Sequence, residues 1–437
     1  MDAIFHNGEA MPYPKVPNHI VDDPTPRDQA IYVPSISPGF ATAVHEGQWS
    51  RALPQGVSAS DLNFLDPANP LMRLSHAMTS AGQALKQAKP CIITERDRSG
   101  TLIVGDSGGY QIASGRLTIN GNADRLRILR WLEATADVAM TLDVPTFPVI
   151  KNPALYRFKS TADCLTETLD HLKFFAANRN HNSGTRFLNV LQGNNQAEAD
   201  TWYDHVKTFD FEGWAFGGVL RNNFYEVCRR ILIMAREGQL QGKSWIHILG
   251  TCELDTAVLL TALQRAINTH INPNLRISYD TSSPFRMSAY NSVYTLPSFT
   301  AKELTMGAKD TPDDMRFIGS QVRWPWPSPI GDRMVMADFC VPGHRHTRHY
   351  RDQLSETYAA HHNLGALCWG IATANRVFDA ECLNHDHTIA LPVGAAAEAI
   401  EKVISSGSMQ TLSSFAGTFA NLRHGKLPDS GDEDRAY

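Results

Sequence analysis

Gly105-Asp106-Ser107-Gly108-Gly109-Tyr110-Gln111 follows the apolar run Thr101-Leu102-Ile103-Val104. The run reads as a short buried strand. A strand ending here sets a carboxylate at its tip. The two glycines then let the backbone turn sharply and approach a ligand closely. Tyr110 adds a flat apolar face beside that carboxylate. Turn chemistry alone also puts Ser, Gly and Asp after strands, so the functional reading depends on the pattern recurring.

It recurs at regular intervals. A helix over 125–136, with Leu126, Leu129 and Leu132 facing inward, leads to the strand Val138-Ala139-Met140-Thr141-Leu142 and Asp143. Helices over 161–177, 196–208, 225–236 and 253–268 each precede a further strand. These strands end at Gln192-Gly193, Gly217-Gly218, Gly250 and Asp280. Strands alternating with amphipathic helices imply a parallel sheet. The spacing suits the roughly 30 residues per unit of a (β/α)8 TIM-type barrel. Two weaker early strands, at 30–34 and near 62–65, bring the count to eight. A helix is expected over 74–88, where Leu74, Met78, Ala81 and Leu85 share a face. An open doubly wound sheet is the competing architecture. The chain lacks the Gly-x-Gly-x-x-Gly fingerprint of its dinucleotide-binding form.

Outside 100–290 the pattern changes. Residues 1–27 read as an N-terminal arm. Beyond Asp280 the chain is rich in Pro and Ser and includes Arg323-Trp324-Pro325-Trp326-Pro327, which suits neither an interior helix nor a central strand. Residues 336–370 are dense in His and Arg, a helix covers 395–404, and the tail from 425 reads as disordered. The expected division is a barrel with its arm over 1–290, a connection with a His-rich subdomain and closing helices over 291–424, and the tail over 425–437.

The 437 residues are 43% hydrophobic and 19% charged, as expected of a globular protein. No run approaches the roughly 18 apolar residues of a membrane span. The N-terminus has neither the basic start nor the apolar core of a secretory signal. Seven scattered cysteines suggest thiols in a reducing compartment, so a cytoplasmic location is expected. The net charge of −5 argues against nucleic-acid binding through bulk charge and leaves a local basic groove open.

In a barrel the C-terminal strand ends meet at one mouth, where chemistry sits. Here they carry Asp106, Asp143, Gln192, Gly217, Gly218, Gly250 and Asp280. Three carboxylates are one way to hold a metal. However, no His stands at a strand end, and Gln with bare glycine backbone suits a flat, hydrogen-bonding ligand. A heterocyclic base fits that description. Asp accepts from ring N–H and amino groups, Gln and Gly N–H groups donate to a carbonyl, and Tyr110 stacks. For Asp280 a helix N-cap is the alternative reading.

These motifs together resemble the tRNA-guanine transglycosylases. The resemblance rests on Asp106-Ser-Gly-Gly-Tyr-Gln, Asp137-Val-Ala-Met-Thr-Leu-Asp143, Val190-Leu-Gln192-Gly193, Trp214-Ala-Phe-Gly217-Gly218-Val219, Ile248-Leu-Gly250 and Asp280-Thr-Ser-Ser-Pro284-Phe-Arg286. It implies that Asp280 is the nucleophile at C1′ and Asp106 the general acid/base. It also implies a base pocket of Asp143, Gln192, Gly217 and Gly218, with Ser107 beside it and Tyr110 as the stacking aromatic. The chemistry is consistent, because a facing carboxylate stabilises and then captures an oxocarbenium-like transition state.

The chain departs from that family in three places. Arg286 is followed by Met-Ser-Ala-Tyr-Asn without a second arginine, the first hundred residues differ, and the zinc motif is altered. Cys340, His344, His346 and His362 are the expected zinc ligands, with His349 and His361 as alternatives. A basic surface is the other reading, since Arg345, Arg348 and Arg351 interleave with these histidines. The departures resemble the DNA-modifying, DpdA-type branch, which installs a 7-deazaguanine such as preQ0 and must flip its target base. That likeness implies DNA and a free 7-deazaguanine as partners, in a bacterial or phage-infected cell. The alternatives are tRNA as substrate or a non-catalytic partner subunit, and a homodimer is left open. Arg286 and Arg323 are the expected nucleic-acid contacts. Trp324 and Trp326 are expected either to fill a gap in the stack or to pack within a loop.

Overall fold

The computed structural model of the chain describes residues 5–6, 9–10, 28–54, 56–84, 89–312, 315–341, 345–346, 349–384 and 390–422. Eight strands form one parallel sheet: β1 (Ile31–Pro34), β2 (His76–Ser80), β3 (Leu102–Asp106), β4 (Val138–Met140), β5 (Arg186–Leu191), β6 (Gly213–Phe216), β7 (Trp245–Ile248) and β8 (Arg276–Thr281). From β2 to β8 each strand pairs with the next in sequence, and β8 pairs with β1. A parallel bridge between Ser35 and Met78, with Ile36 N–H donating to Met78 O at 2.9 Å, nearly closes the ring between β1 and β2. Sequential pairing of this kind excludes the doubly wound sheet, whose strand order reverses. The lumen is packed with Ile31, Val33, Met78, Val104, Val138, Met140, Leu188, Val190 and Ala215. It is therefore a filled core that leaves the strand ends to carry chemistry.

The helices between strands form where their apolar spacing predicts. Thr161–Asn178 begins at Ser160, whose hydroxyl accepts from Asp163 N–H. Gln196–Val206 and Phe224–Arg236 begin at Asn195 and Asn223, which cap in the same way. In Asn122–Thr135 the inward face is Ile128, Leu129 and Leu132, whereas Leu126 is exposed.

Two early expectations fail. The second strand is His76–Ser80; residues 62–65 end a short 3-10 helix and enter a turn. Leu62, Phe64 and Leu65 are buried all the same, in a core shared with Phe285, Phe339 and Tyr358. The helix expected over 74–88 is this strand followed by the short helix Ala81–Ala84. Of the residues whose spacing suggested a helix, only Met78 lies in this strand; Leu74 precedes it and Ala81 opens the short helix, so one apparent period runs across separate elements. Leu85 lies outside the described residues.

Beyond β8 an antiparallel hairpin, β9 (Ser292–Phe299) with β10 (Leu304–Asp310), precedes a 32-residue helix, Gln353–Asn384, and a second helix, Leu391–Ser406. Leu304, Leu367, Ile371, Val393 and Ile400 share one core with Leu254, Leu260 and Leu263 of the last barrel helix, so these elements pack directly on the barrel. The arm of residues 1–27 and the tail of 425–437 lie outside the described residues, apart from a two-strand pairing of Phe5–His6 with Glu9–Ala10. Among the described residues no helix is long and apolar enough to cross a membrane. Cys91, Cys164, Cys228, Cys252, Cys340 and Cys368 are free thiols.

The Trp-Pro run is a packed loop. Trp324 is 2% exposed, stacks on Phe339 at 3.9 Å between ring centroids, and donates its indole N–H to His362 Nδ1 at 3.2 Å. Trp324 therefore does not stand ready to fill a gap in nucleic acid. Trp324→Ala should destabilise the fold by about 3–5 kcal/mol, measured by denaturant titration. A loss under about 1 kcal/mol would mean the ring contributes little to this core.

Candidate active site at the barrel mouth

Asp106 closes β3 and Asp280 lies near the end of β8, so the barrel delivers both to its C-terminal mouth. Burial pushes the Asp106 carboxyl above its ordinary value. Hydrogen bonds from Ser80 and the Gly108 amide hold the rise in check, and the negative charge of Asp280 adds to it. The Asp280 charge is thus felt at Asp106, as expected of two acids carried to one barrel mouth. Asp280 is 6% exposed, and its Oδ1 accepts from Gly250 N–H at 2.7 Å. His247 Nε2 lies 3.2 Å from the same oxygen. The backbone of Asp280 is also pinned, since its carbonyl accepts from Thr251 N–H at 2.7 Å. It is a strand residue, with helix Ser283–Ala289 starting after it, so the N-cap alternative does not apply.

The sharp turn after Asp106 depends on Gly108. Its φ is +102°, and a Cβ there would come within 2.9 Å of Gly82 Cα. That turn buries Ser107 completely, and its hydroxyl has no partner among the described residues. A buried, unpaired hydroxyl is costly unless a ligand satisfies it. Tyr110, on the short helix Gly109–Ala113, is 38% exposed.

Asp143 follows β4 and Gln192 follows β5; Gln192 Nε2 donates to Asp143 Oδ2 at 2.8 Å. This leaves the second amide N–H of Gln192 for a ligand carbonyl. Gly217 and Gly218 come directly after β6. Gly218 has a φ of +55°, and a side chain there would collide with the Gly193 carbonyl, so the two loops can touch only through glycine.

Burial pushes the Asp143 carboxyl up to about 7, with the Asp106 charge adding to the rise and the Gln192 hydrogen bond opposing it. Between about pH 4 and about 7 the folded protein keeps a proton that the unfolded chain has released, so this group's stabilising effect is lost as pH rises. The slope is at most about 1.4 kcal/mol per unit. Asp143→Asn removes that titration. Its thermal midpoint should fall less than that of the wild type between pH 4.5 and 7.5, within the window set by the shift. Parallel curves for the two proteins would refute the assignment.

The expected nucleic-acid contacts lie on the segments after β8. Arg286 is on helix Ser283–Ala289, and Arg323 is exposed, with its charge acting on Asp332. Of the expected zinc ligands, His362 is fully buried and committed to the protein. Its Nδ1 is 2.7 Å from Ser328 Oγ and its Nε2 is 2.9 Å from the Tyr294 carbonyl. Cys340 is buried, with Sγ 2.9 Å from the Pro312 carbonyl. His361 is buried, and burial lowers its pKa to about 4. His344 and the side chains of His346 and His349 lie outside the described residues. Among the described residues no three His, Cys, Asp or Glu side chains are grouped to hold a metal ion.

The structure adds His247 to the expected residues. It lies within β7, one layer below the strand end. The available signal was the strand Trp245-Ile-His247-Ile-Leu249, where period 2 puts His247 and Trp245 on the same face.

No protein-family model matches the chain, and no curated protein matches it. What the structure defines is a parallel eight-stranded barrel whose C-terminal strand ends carry Asp106, Asp143, Gln192, Gly217, Gly218 and Asp280.

Proposed function

We propose that the protein is a base-exchange transglycosylase, a pentosyltransferase that replaces guanine in DNA with a preQ0-like 7-deazaguanine. The feature that supports this reading is the barrel topology that takes Asp106, at the end of β3, and Asp280, near the end of β8, to one mouth, where the Asp280 charge adds to the rise at Asp106. In the reaction, an Asp280 carboxylate oxygen attacks C1′ of the target nucleotide while the C1′–N9 bond breaks. Asp106 gives its proton to the departing guanine, leaving a covalent deoxyribosyl-enzyme. The free 7-deazaguanine then binds and surrenders its N9 proton to Asp106. Its N9 bonds to C1′, and Asp280 leaves as a carboxylate. The cycle returns both acids to their starting states without an external reactant.

Pocket chemistry supports a purine-like ligand. Asp143 and Gln192 present an acceptor and a donor edge, the unpaired Ser107 hydroxyl lies beside Asp106, and Tyr110 gives a face for stacking. The target base must leave the duplex to reach this depth. Arg286 and Arg323 are proposed to hold the flanking phosphates, because arginine suits phosphate geometry. The test is mass spectrometry of nucleosides from duplex DNA, and in parallel from tRNA, incubated with the protein and 7-deazaguanine bases. Incorporation into DNA supports the reading. Incorporation into tRNA alone overturns the DNA assignment, and incorporation into neither overturns the transglycosylase.

A further inference from the structure

The middle of the barrel lumen is apolar on six of its strands and polar on two. Val33, Met78, Val104, Met140, Val190 and Ala215 fill it on β1 to β6. β7 and β8 instead bring together Trp245, His247, Ser278 and Asp280, all 6% exposed or less. Ser278 and His247 are direct partners in the parallel register. Polar groups buried this deeply cost stability unless each is hydrogen-bonded, and apolar residues would fill the same volume more cheaply. A complete polar column under a catalytic carboxylate therefore needs an explanation in function.

Donor and acceptor rules give the column a direction. An indole N–H can only donate, so Trp245 Nε1, 2.7 Å from Ser278 Oγ, donates to that oxygen. The Ser278 hydroxyl proton is then available to His247 Nδ1, 2.7 Å away. With Nδ1 accepting, the imidazole proton lies on Nε2, which donates to Asp280 Oδ1 at 3.2 Å. Gly250 N–H donates to the same oxygen. Both donors thus fall on Oδ1, and Oδ2 is the oxygen left to react.

We infer that His247 is a positioning residue for Asp280: held as the Nε2–H tautomer by the Trp245–Ser278 pair, it fixes the carboxylate so that Oδ2 faces the sugar carbon. This role rests on the transglycosylase reading. A nucleophile misplaced by about 1 Å loses on the order of 100-fold in rate, so a fixed carboxylate repays the polar column. The same two donors receive the negative charge again when the incoming base displaces Asp280 from C1′.

Two measurements test it. Nitrogen NMR of histidine-labelled wild-type protein reads the tautomer without any turnover, with the resonance assigned by its loss in His247→Phe or His247→Gln. A proton on Nε2 with Nδ1 accepting is expected, and a proton on Nδ1 overturns the inference. Single-turnover exchange of labelled guanine is then compared for the wild type and the two variants, on DNA and on tRNA. His247→Phe should slow exchange by about 100-fold with guanine binding unchanged. His247→Gln, whose amide nitrogen reaches the same position, should recover at least tenfold of that loss. Exchange at the wild-type rate in the Phe variant, no recovery in the Gln variant, or guanine affinity falling in step with the rate would each overturn the positioning role. Wild-type protein inactive on both nucleic acids would instead refute the transglycosylase, and the positioning role with it. The tautomer measurement would still show whether the column exists.

Discussion

Asp280→Asn should abolish covalent capture of the sugar while leaving the barrel folded. The substitution is isosteric. An amide oxygen in the Oδ1 position still accepts from Gly250 N–H and from His247, the two donors that hold the native side chain. The thermal midpoint should therefore move little. Chemistry should suffer far more, because an amide nitrogen replaces the reacting oxygen and no second carboxylate takes its place. Asp106 lies across the mouth and is committed to Ser80 and Gly108. Loss of the covalent nucleophile should lower exchange on the order of 10⁴-fold or more. Denaturing electrophoresis followed by intact-mass analysis should show a protein–nucleic acid adduct with the wild type and none with the variant. A variant that exchanges guanine at the wild-type rate would show that some other group attacks C1′, or that the reaction never passes through the enzyme.

The barrel was legible from residue 102 to residue 281 because each unit repeats one physical pattern. A short apolar strand ends in Asp, Gln or Gly, and an amphipathic helix returns the chain. Its beginning was obscure for the opposite reason. Residues 35–75 separate β1 from β2 and carry a helix, a short 3-10 turn and a buried loop. The apolar residues of β2 are buried on both faces, so they keep no period of 2.

At the site, the acids were legible because barrel topology takes every strand end to one place. His247 was not, because it lies inside a strand, and its significance comes from Ser278 and Trp245 across the register. His362 illustrates the reverse case. Cys340 and the histidines after it resemble an altered zinc motif, yet spacing cannot show which groups each ring nitrogen meets. Here both nitrogens of His362 are engaged by Ser328, Trp324 and Tyr294.

Asp106→Asn separates acid/base catalysis from binding. Guanine is a poor leaving group unless its departure is accompanied by a proton, and Asp106 is the acid whose proton affinity burial and the Asp280 charge have raised. Removing a general acid costs typically about 10²–10⁴-fold. The larger part should fall on adduct formation, since Asp280 still attacks but the base leaves as an anion. The pH dependence supplies the sharper test. Guanine departure needs Asp106 protonated, so the rate of adduct formation in the wild type should fall as pH rises through the elevated pKa of Asp106. Capture of the incoming base needs Asp106 ionised, so that half-reaction should rise over the same interval. The opposing limbs together make a bell for the full exchange. In Asp106→Asn both limbs assigned to this residue should vanish, leaving a slow rate without them. If the variant keeps the wild-type limbs, the titrating group lies elsewhere, with Asp143 the next candidate because its carboxyl is pushed up to about 7 in the same pocket.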